Sequence, residues 1–102
     1  MSFIAVYITH ANLKNAKNIC DELLKKRLIA CANYFPIKSS YRWKGKIENS
    51  DEIVSIVKTR KENWDKVKNE VEKIHPYEIP CIMKFSVEAN EDYERWINGE
   101  TK

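Results

Sequence analysis

A stiff segment between two prolines, His75-Pro76-Tyr77-Glu78-Ile79-Pro80, carries the densest group of residues that could do chemistry. The prolines restrict the backbone, so the segment is suited to presenting Tyr77 and Glu78 to a ligand, although an ordinary loop could have the same composition. His75 ends a helical pattern, where an imidazole can bind a metal ion or simply satisfy the last helix carbonyls. Both interpretations of His75 stay open.

Two residues elsewhere are also candidates for a ligand-binding cleft. Lys58 follows an apolar run, and a tight turn before that run would place it opposite residues 33 and 34. A cation at this position favours a small anionic ligand, whereas an ordinary strand lysine would only extend into solvent. Cys31 would lie in the same cleft, although a free cysteine is most often a small buried residue.

The segment that must position these residues, 28–60, has the pattern of one long β-hairpin folded at Lys44-Gly45. Its first arm, residues 29–43, is rich in aromatic and β-branched residues, and Gly45 supplies the positive φ that a tight turn needs. Fifteen residues at about 3.3 Å each reach roughly 50 Å, more than the roughly 34 Å width of a domain of this size. The tip should therefore extend beyond the domain, although Pro36 is expected to bend or bulge the arm.

Large apolar side chains near such an unsupported tip are typical of a surface that contacts a partner. Three of them lie close to the turn: Tyr41, Trp43 and Ile47. We therefore predict an oligomer in which hairpins reach across neighbouring subunits and these three residues lie in the interface.

The remaining patterns complete a β-α-β-β-α-β order. The predicted elements are strands at residues 3–9 and 81–87 and helices over residues 12–27 and 61–74. A short C-terminal helix follows Asn90 and ends before Gly99, and the tail beyond it should fray. This order predicts an α+β, ferredoxin-like fold, an antiparallel sheet with helices on one face.

The composition is typical of a single water-soluble globular domain over residues 1–102. Hydrophobic residues make up 43% and charged residues 32%, and no apolar run approaches the roughly 18 residues of a membrane span. The net charge of +3 comes from 18 basic and 15 acidic residues that mostly alternate, which argues against nucleic-acid binding. Three cysteines without a C-x-x-C pair, and no basic leader, favour reduced thiols and the cytoplasm.

Several stretches together make the chain resemble the CutA family of divalent-cation-tolerance proteins. In the family's order and spacing they are Arg27-Leu28-Ile29-Ala30-Cys31-Ala32-Asn33, Tyr41-Arg42-Trp43-Lys44-Gly45-Lys46-Ile47, Val57-Lys58-Thr59-Arg60, His75-Pro76-Tyr77-Glu78-Ile79-Pro80, and Tyr93 with Trp96-Ile97. The resemblance covers essentially the whole chain. It implies a cytosolic homotrimer, related in architecture to the PII signalling proteins and linked to tolerance of copper and other divalent metals, without a defined reaction.

The same resemblance gives a divided expectation for a metal. Copper binding in the family is associated with a first-strand cysteine and two adjacent histidines, and the matching positions here are Ile8, Ile74 and His75. A lone imidazole cannot close the coordination shell that a transition metal needs. We therefore expect no firm cofactor and at most a weakly bound divalent cation such as copper, held by His75 with Glu78.

Two functions follow as hypotheses. The first is non-enzymatic binding or signalling by a homotrimer whose clefts between subunits hold a small anionic ligand or a divalent metal. The residues predicted to line these clefts are Lys58, Trp43, Tyr77, Glu78 and Cys31. The alternative is a small-molecule enzyme that uses His75 and Lys58 in a cleft between subunits, although the sequence has only two histidines and no recognisable nucleophile and base pair.

Overall fold

Eight short elements build the subunit, which the computed structural model describes over residues 2–102. The strands are β1 (Phe3–His10), β2 (Cys31–Trp43), β3 (Lys46–Arg60) and β4 (Ile82–Val87). The helices are α1 (Leu13–Lys25), a 3-10 turn at Lys61–Asn63 that leads into α2 (Trp64–Ile74), and α3 (Glu91–Glu100). All strands join one antiparallel sheet in the order β2-β3-β1-β4, which confirms the predicted ferredoxin-like α+β fold.

The hairpin of β2 and β3 is continuous in register from its base to its turn. Lys44 and Gly45 have φ angles of 50° and 80°, and two positive φ angles are what a type I′ turn requires. No bulge forms at Pro36, one of the two predicted distortions, because Pro36 pairs in register with Ile53. β2 is an edge strand, where a residue without an N–H can be accommodated.

The outer half of the hairpin has no third strand beside it. β1 pairs with β3 only from Ile53 onward, so the seven cross-strand pairs from Ile37 to Trp43 extend past the rest of the sheet. The subunit is accordingly elongated, with principal extents of 45 × 23 × 21 Å. The hairpin tip therefore extends beyond the body, as its length predicts.

The two faces of the sheet are covered differently. α1 and α2 pack on one face, where the core is formed by Ile4, Val6, Ile8, Ile19, Cys20, Leu23, Ile29, Val57, Val67 and Val71. The opposite face, called the open face below, carries Tyr7, Phe35, Lys58, Met83 and Phe85. α3 covers one end of the open face, where the ring of Tyr93 lies 5.9 Å from that of Phe3. Among residues 2–102, no helix is long and apolar enough to span a membrane.

Two arginines hold the C-terminal end of α3, which has no basic residue in its own last turn. Arg60 donates to the carbonyls of Asn98 and Thr101. Arg27 donates to the carbonyls of Gly99 and Glu100. Thr101 is consequently buried. The predicted helix end before Gly99 and the predicted fraying of the tail are therefore wrong, because the groups that satisfy these carbonyls are distant in sequence.

Candidate functional site

Two histidine rings stack between β1 and the segment that follows α2. The ring centroids of His10 and His75 are 5.5 Å apart, with 16° between the ring planes. His10 is fully buried, its Nε2 lies 2.7 Å from Ser55 Oγ, and its Nδ1 has no hydrogen-bond partner within residues 2–102. Burial, and then the neighbouring His75, lower the pKa of His10 to about 4, so this imidazole is neutral at physiological pH.

His75 has both ring nitrogens engaged within the fold. Its Nε2 donates to the Thr9 carbonyl at 2.8 Å, and the backbone N–H of Tyr77 donates to its Nδ1 at 3.1 Å. The side chain therefore joins β1 to the proline-rich segment and does not cap α2. The last turn of α2 is closed instead by the backbone N–H of His75, which donates to the Val71 carbonyl at 2.8 Å.

The Tyr77 hydroxyl extends this connection to the hairpin. It donates to Glu52 Oε2 at 2.6 Å. Burial, and then this hydrogen bond, raise the pKa of Tyr77, so the phenol remains a proton donor to the carboxylate at physiological pH. The contact ties the segment after α2 to the point where the hairpin leaves the sheet.

A cleft of about 880 Å³ lies beside this contact and is called the hairpin cleft below. Its walls are formed by β2 residues 37–43, by Tyr7, Thr9 and Glu52, and by residues 77–79 with Cys81. The cleft brings together Trp43, Tyr77 and Glu78, three of the five residues that the sequence predicts in one ligand site. Tyr41, predicted in a subunit interface, also lines it.

Lys58 and Cys31 lie elsewhere on the open face. Lys58 pairs across the strands with Cys31, whereas the sequence predicts residues 33 and 34 opposite Lys58. Lys58 lies six residues along β3 from Glu52, which places it about 20 Å away. Lys58 Nζ donates to Asn33 Oδ1, and the Cys31 Sγ lies 3.4 Å from the Tyr93 hydroxyl. Within one chain, the predicted ligand set is therefore divided, and its cation lies outside the cleft.

The histidine and serine in contact do not form an accessible catalytic pair. His10 and Ser55 are both 0% exposed, so a substrate cannot reach the serine hydroxyl in this fold. Within a single subunit, His75 and Lys58 are separated, because His75 stacks on the helix-covered side and Lys58 lies on the open face. Within one subunit, neither pair of residues forms a catalytic site that a substrate can reach.

Comparison with known proteins gives one consistent family. The profile described as "CutA1 divalent ion tolerance protein" matches residues 4–100. The chain belongs to the CutA1 family. It is 42% identical over 100 residues to the divalent-cation tolerance protein CutA of Pyrococcus horikoshii, covering 97% of this chain and 98% of that protein.

Solved CutA structures share the whole fold. CutA1 from Pyrococcus horikoshii has a TM-score of 0.94 at 41% identity and covers 97% of this chain and 98% of its own. CutA from Archaeoglobus fulgidus, described as a periplasmic divalent cation tolerance protein, has a TM-score of 0.93 at 41% identity and covers 100% of both chains. The CutA architecture therefore extends from β1 to α3.

The metal ligands expected from the CutA resemblance do not assemble in this chain. Ile8 is fully buried and Ile74 is apolar, and both His75 nitrogens are already engaged. Within residues 2–102, no group of three His, Cys, Asp or Glu side chains is placed to hold a metal ion. Burial also raises the pKa of Cys20 and Cys81, which disfavours the thiolate form that binds soft metals.

CutA motif residues away from the hairpin cleft hold the fold together. Thr59 Oγ1 donates to the Leu28 carbonyl at 2.6 Å, and Arg60 binds the end of α3. Glu78, by contrast, forms no ion pair within the described residues. Some motif residues therefore hold the fold together, others line the cleft, and Tyr77 does both.

The sequence analysis missed two residues of this region. Glu52 stands in a polar stretch of the hairpin, and nothing in the sequence distinguishes it before the fold brings it to Tyr77. His10 could have been found, because it continues the alternation of Ile4, Val6 and Ile8 along β1. A histidine at the next position of that period is expected on the buried face.

Proposed function

We propose that this protein acts as a homotrimeric, PII-like binding or signalling module in the tolerance of divalent metal ions, with ligand clefts at the subunit interfaces. Membership of a family described by divalent ion tolerance supports the link to metals. The absence of a defined reaction for the family and the buried His10–Ser55 pair support binding over catalysis. A weakly bound divalent cation such as copper remains compatible with this role.

The observation that carries the proposal is the apolar character of the open face. Its exposed aromatic and thioether side chains are Phe35, Met83 and Phe85, with Trp96 on the adjoining α3. Phe85 and Trp96 are 51% and 45% exposed in the isolated subunit. Apolar side chains clustered on one sheet face are typical of a protein interface, because water contact with them is unfavourable.

The free hairpin supports the same assembly. Tyr41 and Trp43 alternate onto one side of the ribbon, while Ile47 pairs with Arg42 on the other side. The three predicted interface residues thus lie on two sides of the hairpin, and we expect the tip to contact neighbouring subunits on both. Lys58 and Cys31 lie on the open face, so assembly through that face would bring them to an interface.

The compartment is a further part of the proposal. Three free cysteines fit a reducing cytoplasm. The relative from Archaeoglobus fulgidus is described as periplasmic, so fractionation of cells that produce this protein is the direct test.

Sedimentation equilibrium tests the assembly. We expect the mass of three chains at micromolar concentration, and we expect Phe85→Glu to dissociate the assembly because it puts a charge into the interface. Lys84→Gln is the matched control, because Lys84 is the adjacent β4 residue and faces the opposite side, where its Nζ lies 5.3 Å from the Trp64 ring centroid. A mass of one chain for the unmodified protein would contradict the proposal.

A further inference from the structure

The sequence holds a single Asn-Gly pair, Asn98-Gly99, which lies in the last turn of α3. We propose that this pair is a site of spontaneous deamidation, and that Arg60 and Arg27 set its rate by holding the turn in a helical conformation. The inference goes beyond the proposed function, because the contacts that carry it lie within one subunit and involve no ligand. Water is the only co-reactant.

The reaction begins at the backbone nitrogen of Gly99. Its attack on Cγ of Asn98 closes a succinimide ring and expels the side-chain nitrogen as ammonia, which also takes up the proton that the Gly99 nitrogen loses. Water then opens the ring at either carbonyl, which leaves an aspartate or an isoaspartate at position 98. A glycine after the asparagine favours ring closure, because no Cβ hinders the attack and the backbone can reach the required angles.

The helical geometry of Asn98 opposes this attack. Its side-chain Nδ2 donates to the Glu94 carbonyl at 2.9 Å, so the side chain is turned back along the helix. An α-helical backbone also directs the N–H of Gly99 along the helix axis toward the preceding turn, and not toward Cγ of Asn98. The pair therefore reacts from conformations in which the last turn of α3 has opened.

Two arginines that are distant in sequence keep this turn closed. Arg60 Nη2 donates to the Asn98 carbonyl, and Arg27 Nη2 donates to the Gly99 carbonyl at 3.2 Å. Both carbonyls that flank the reactive Gly99 nitrogen are thus held by a guanidinium group. The end of a helix otherwise opens first, because its last carbonyls have no partner within the helix. The two arginines therefore lower the population of open, reactive conformations.

No contact among residues 2–102 requires a glycine at position 99. Gly99 does not adopt a positive φ angle, unlike Gly45, and a Cβ placed on it would meet no atom of this part of the chain within 4 Å. Gly99 therefore raises the reactivity of Asn98 without serving a turn or a close approach. Gly99→Ala is accordingly a variant that keeps both the asparagine and the helix.

Both products weaken the contacts that slow their formation. An aspartate replaces the Nδ2 donor with an oxygen, which repels the Glu94 carbonyl that it faces. An isoaspartate adds a carbon to the main chain, which shifts the carbonyls that Arg60 and Arg27 bind. Deamidation at position 98 therefore loosens the end of α3 irreversibly.

Peptide mass spectrometry of protein aged at mildly alkaline pH tests the inference. Conversion of Asn98 appears as the small mass gain from NH₂ to OH, and protein aged in urea gives the rate of the unfolded chain. We expect the folded, unmodified protein to convert roughly a hundredfold more slowly than the protein in urea. Arg60→Met should raise the folded rate roughly tenfold, because it frees the Asn98 carbonyl and makes opening easier.

Two further variants serve as controls. Arg95→Met removes a guanidinium from the same helix, but Arg95 makes only exposed ion pairs within the described chain, so the rate should not change. Gly99→Ala combined with Arg60→Met should return the conversion of Asn98 to a low rate. Circular dichroism of each variant establishes that it is folded during the measurement.

Three results would overturn the inference. Equal rates in the folded protein and in urea, or an Arg60→Met rate no higher than that of Arg95→Met, would remove the protective role of the arginines. An Asn98 that does not convert even in urea would remove the site itself. If Arg60→Met does not fold, Arg27→Met takes its place, and it must convert faster than Arg95→Met for the inference to stand.

Discussion

The imidazole of His10 stacks on that of His75, although the two residues are separated by α1, the whole hairpin and α2. His10 reaches the stack from β1 and His75 from the end of α2, and the backbone N–H of Tyr77 holds His75 in place. Through Tyr77 and Glu52 the stack is connected to the wall of the hairpin cleft. Changes that disturb the stack should therefore affect both stability and the cleft.

Acid should destabilise the protein through His10. Its pKa is about 4 in the folded chain against an ordinary 6.5, so only the unfolded chain takes up a proton between these values. The contribution of His10 to the free energy of unfolding is complete above pH 6.5, falls as the pH drops toward 4, and then levels off. The loss amounts to about 3 kcal/mol, and urea unfolding at fixed protein concentration between pH 7 and 4 measures it.

His10→Phe supplies the control for this pH dependence. Phenylalanine keeps an aromatic ring beside His75 but cannot take up a proton, so the free energy of unfolding should vary less with pH than in the unmodified protein. The variant keeps the other titratable groups of the protein, so a residual slope is expected. An unchanged slope between pH 6.5 and 4 would show that His10 is not the responsible group.

Arg60 should stabilise the C-terminal helix. Its guanidinium binds two carbonyls and the Thr101 hydroxyl, so Arg60→Met should lower the free energy of unfolding by about 2–3 kcal/mol and speed amide exchange in α3. Arg95→Met is the matched control, because Arg95 makes only exposed ion pairs with Glu91 and Asp92. That change should cost less than about 1 kcal/mol, and equal losses in the two variants would refute the assignment.

Trp43 should stabilise the assembly, and Trp64 should stabilise the fold of the single subunit. Trp43 lies on the free part of the hairpin, whereas Trp64 packs against the core and is flanked by Lys68 and Lys84. Trp43→Ala should therefore make thermal melting more dependent on protein concentration, while Trp64→Ala lowers the melting temperature at every concentration. The reverse pattern would place Trp43 outside the interface.

Copper should bind at most weakly at neutral pH. A metal at His75 must displace either the Thr9 carbonyl or the Tyr77 N–H, and the positions of the other family ligands hold Ile8 and Ile74. Titration with copper should show weak binding that is lost in His75→Ala and is removed by a mild chelator. One copper ion per subunit that survives the chelator would contradict this expectation.

The amino-acid sequence by itself determined the elements and their order. The alternation of apolar residues in β1, the N-cap at Asn12 and the turn at Lys44-Gly45 are local signals, and each produced the predicted element. The side chain of Asn12 accepts from the Asn15 N–H at 2.8 Å, as a helix cap should. Local periodicity and capping suffice for such features because the contacts that enforce them lie within a few residues.

Only the tertiary structure decided which side chains meet. In the fold, Lys58 lies outside the predicted ligand site and Glu52 contacts Tyr77. The tail is held by Arg60, which contacts Thr101 about forty positions away. The tertiary structure also left the open face uncovered, which no single strand pattern reveals. These features depend on strand register and on contacts between distant segments, so the lining of the cleft follows from the packing of the whole chain and not from any one motif.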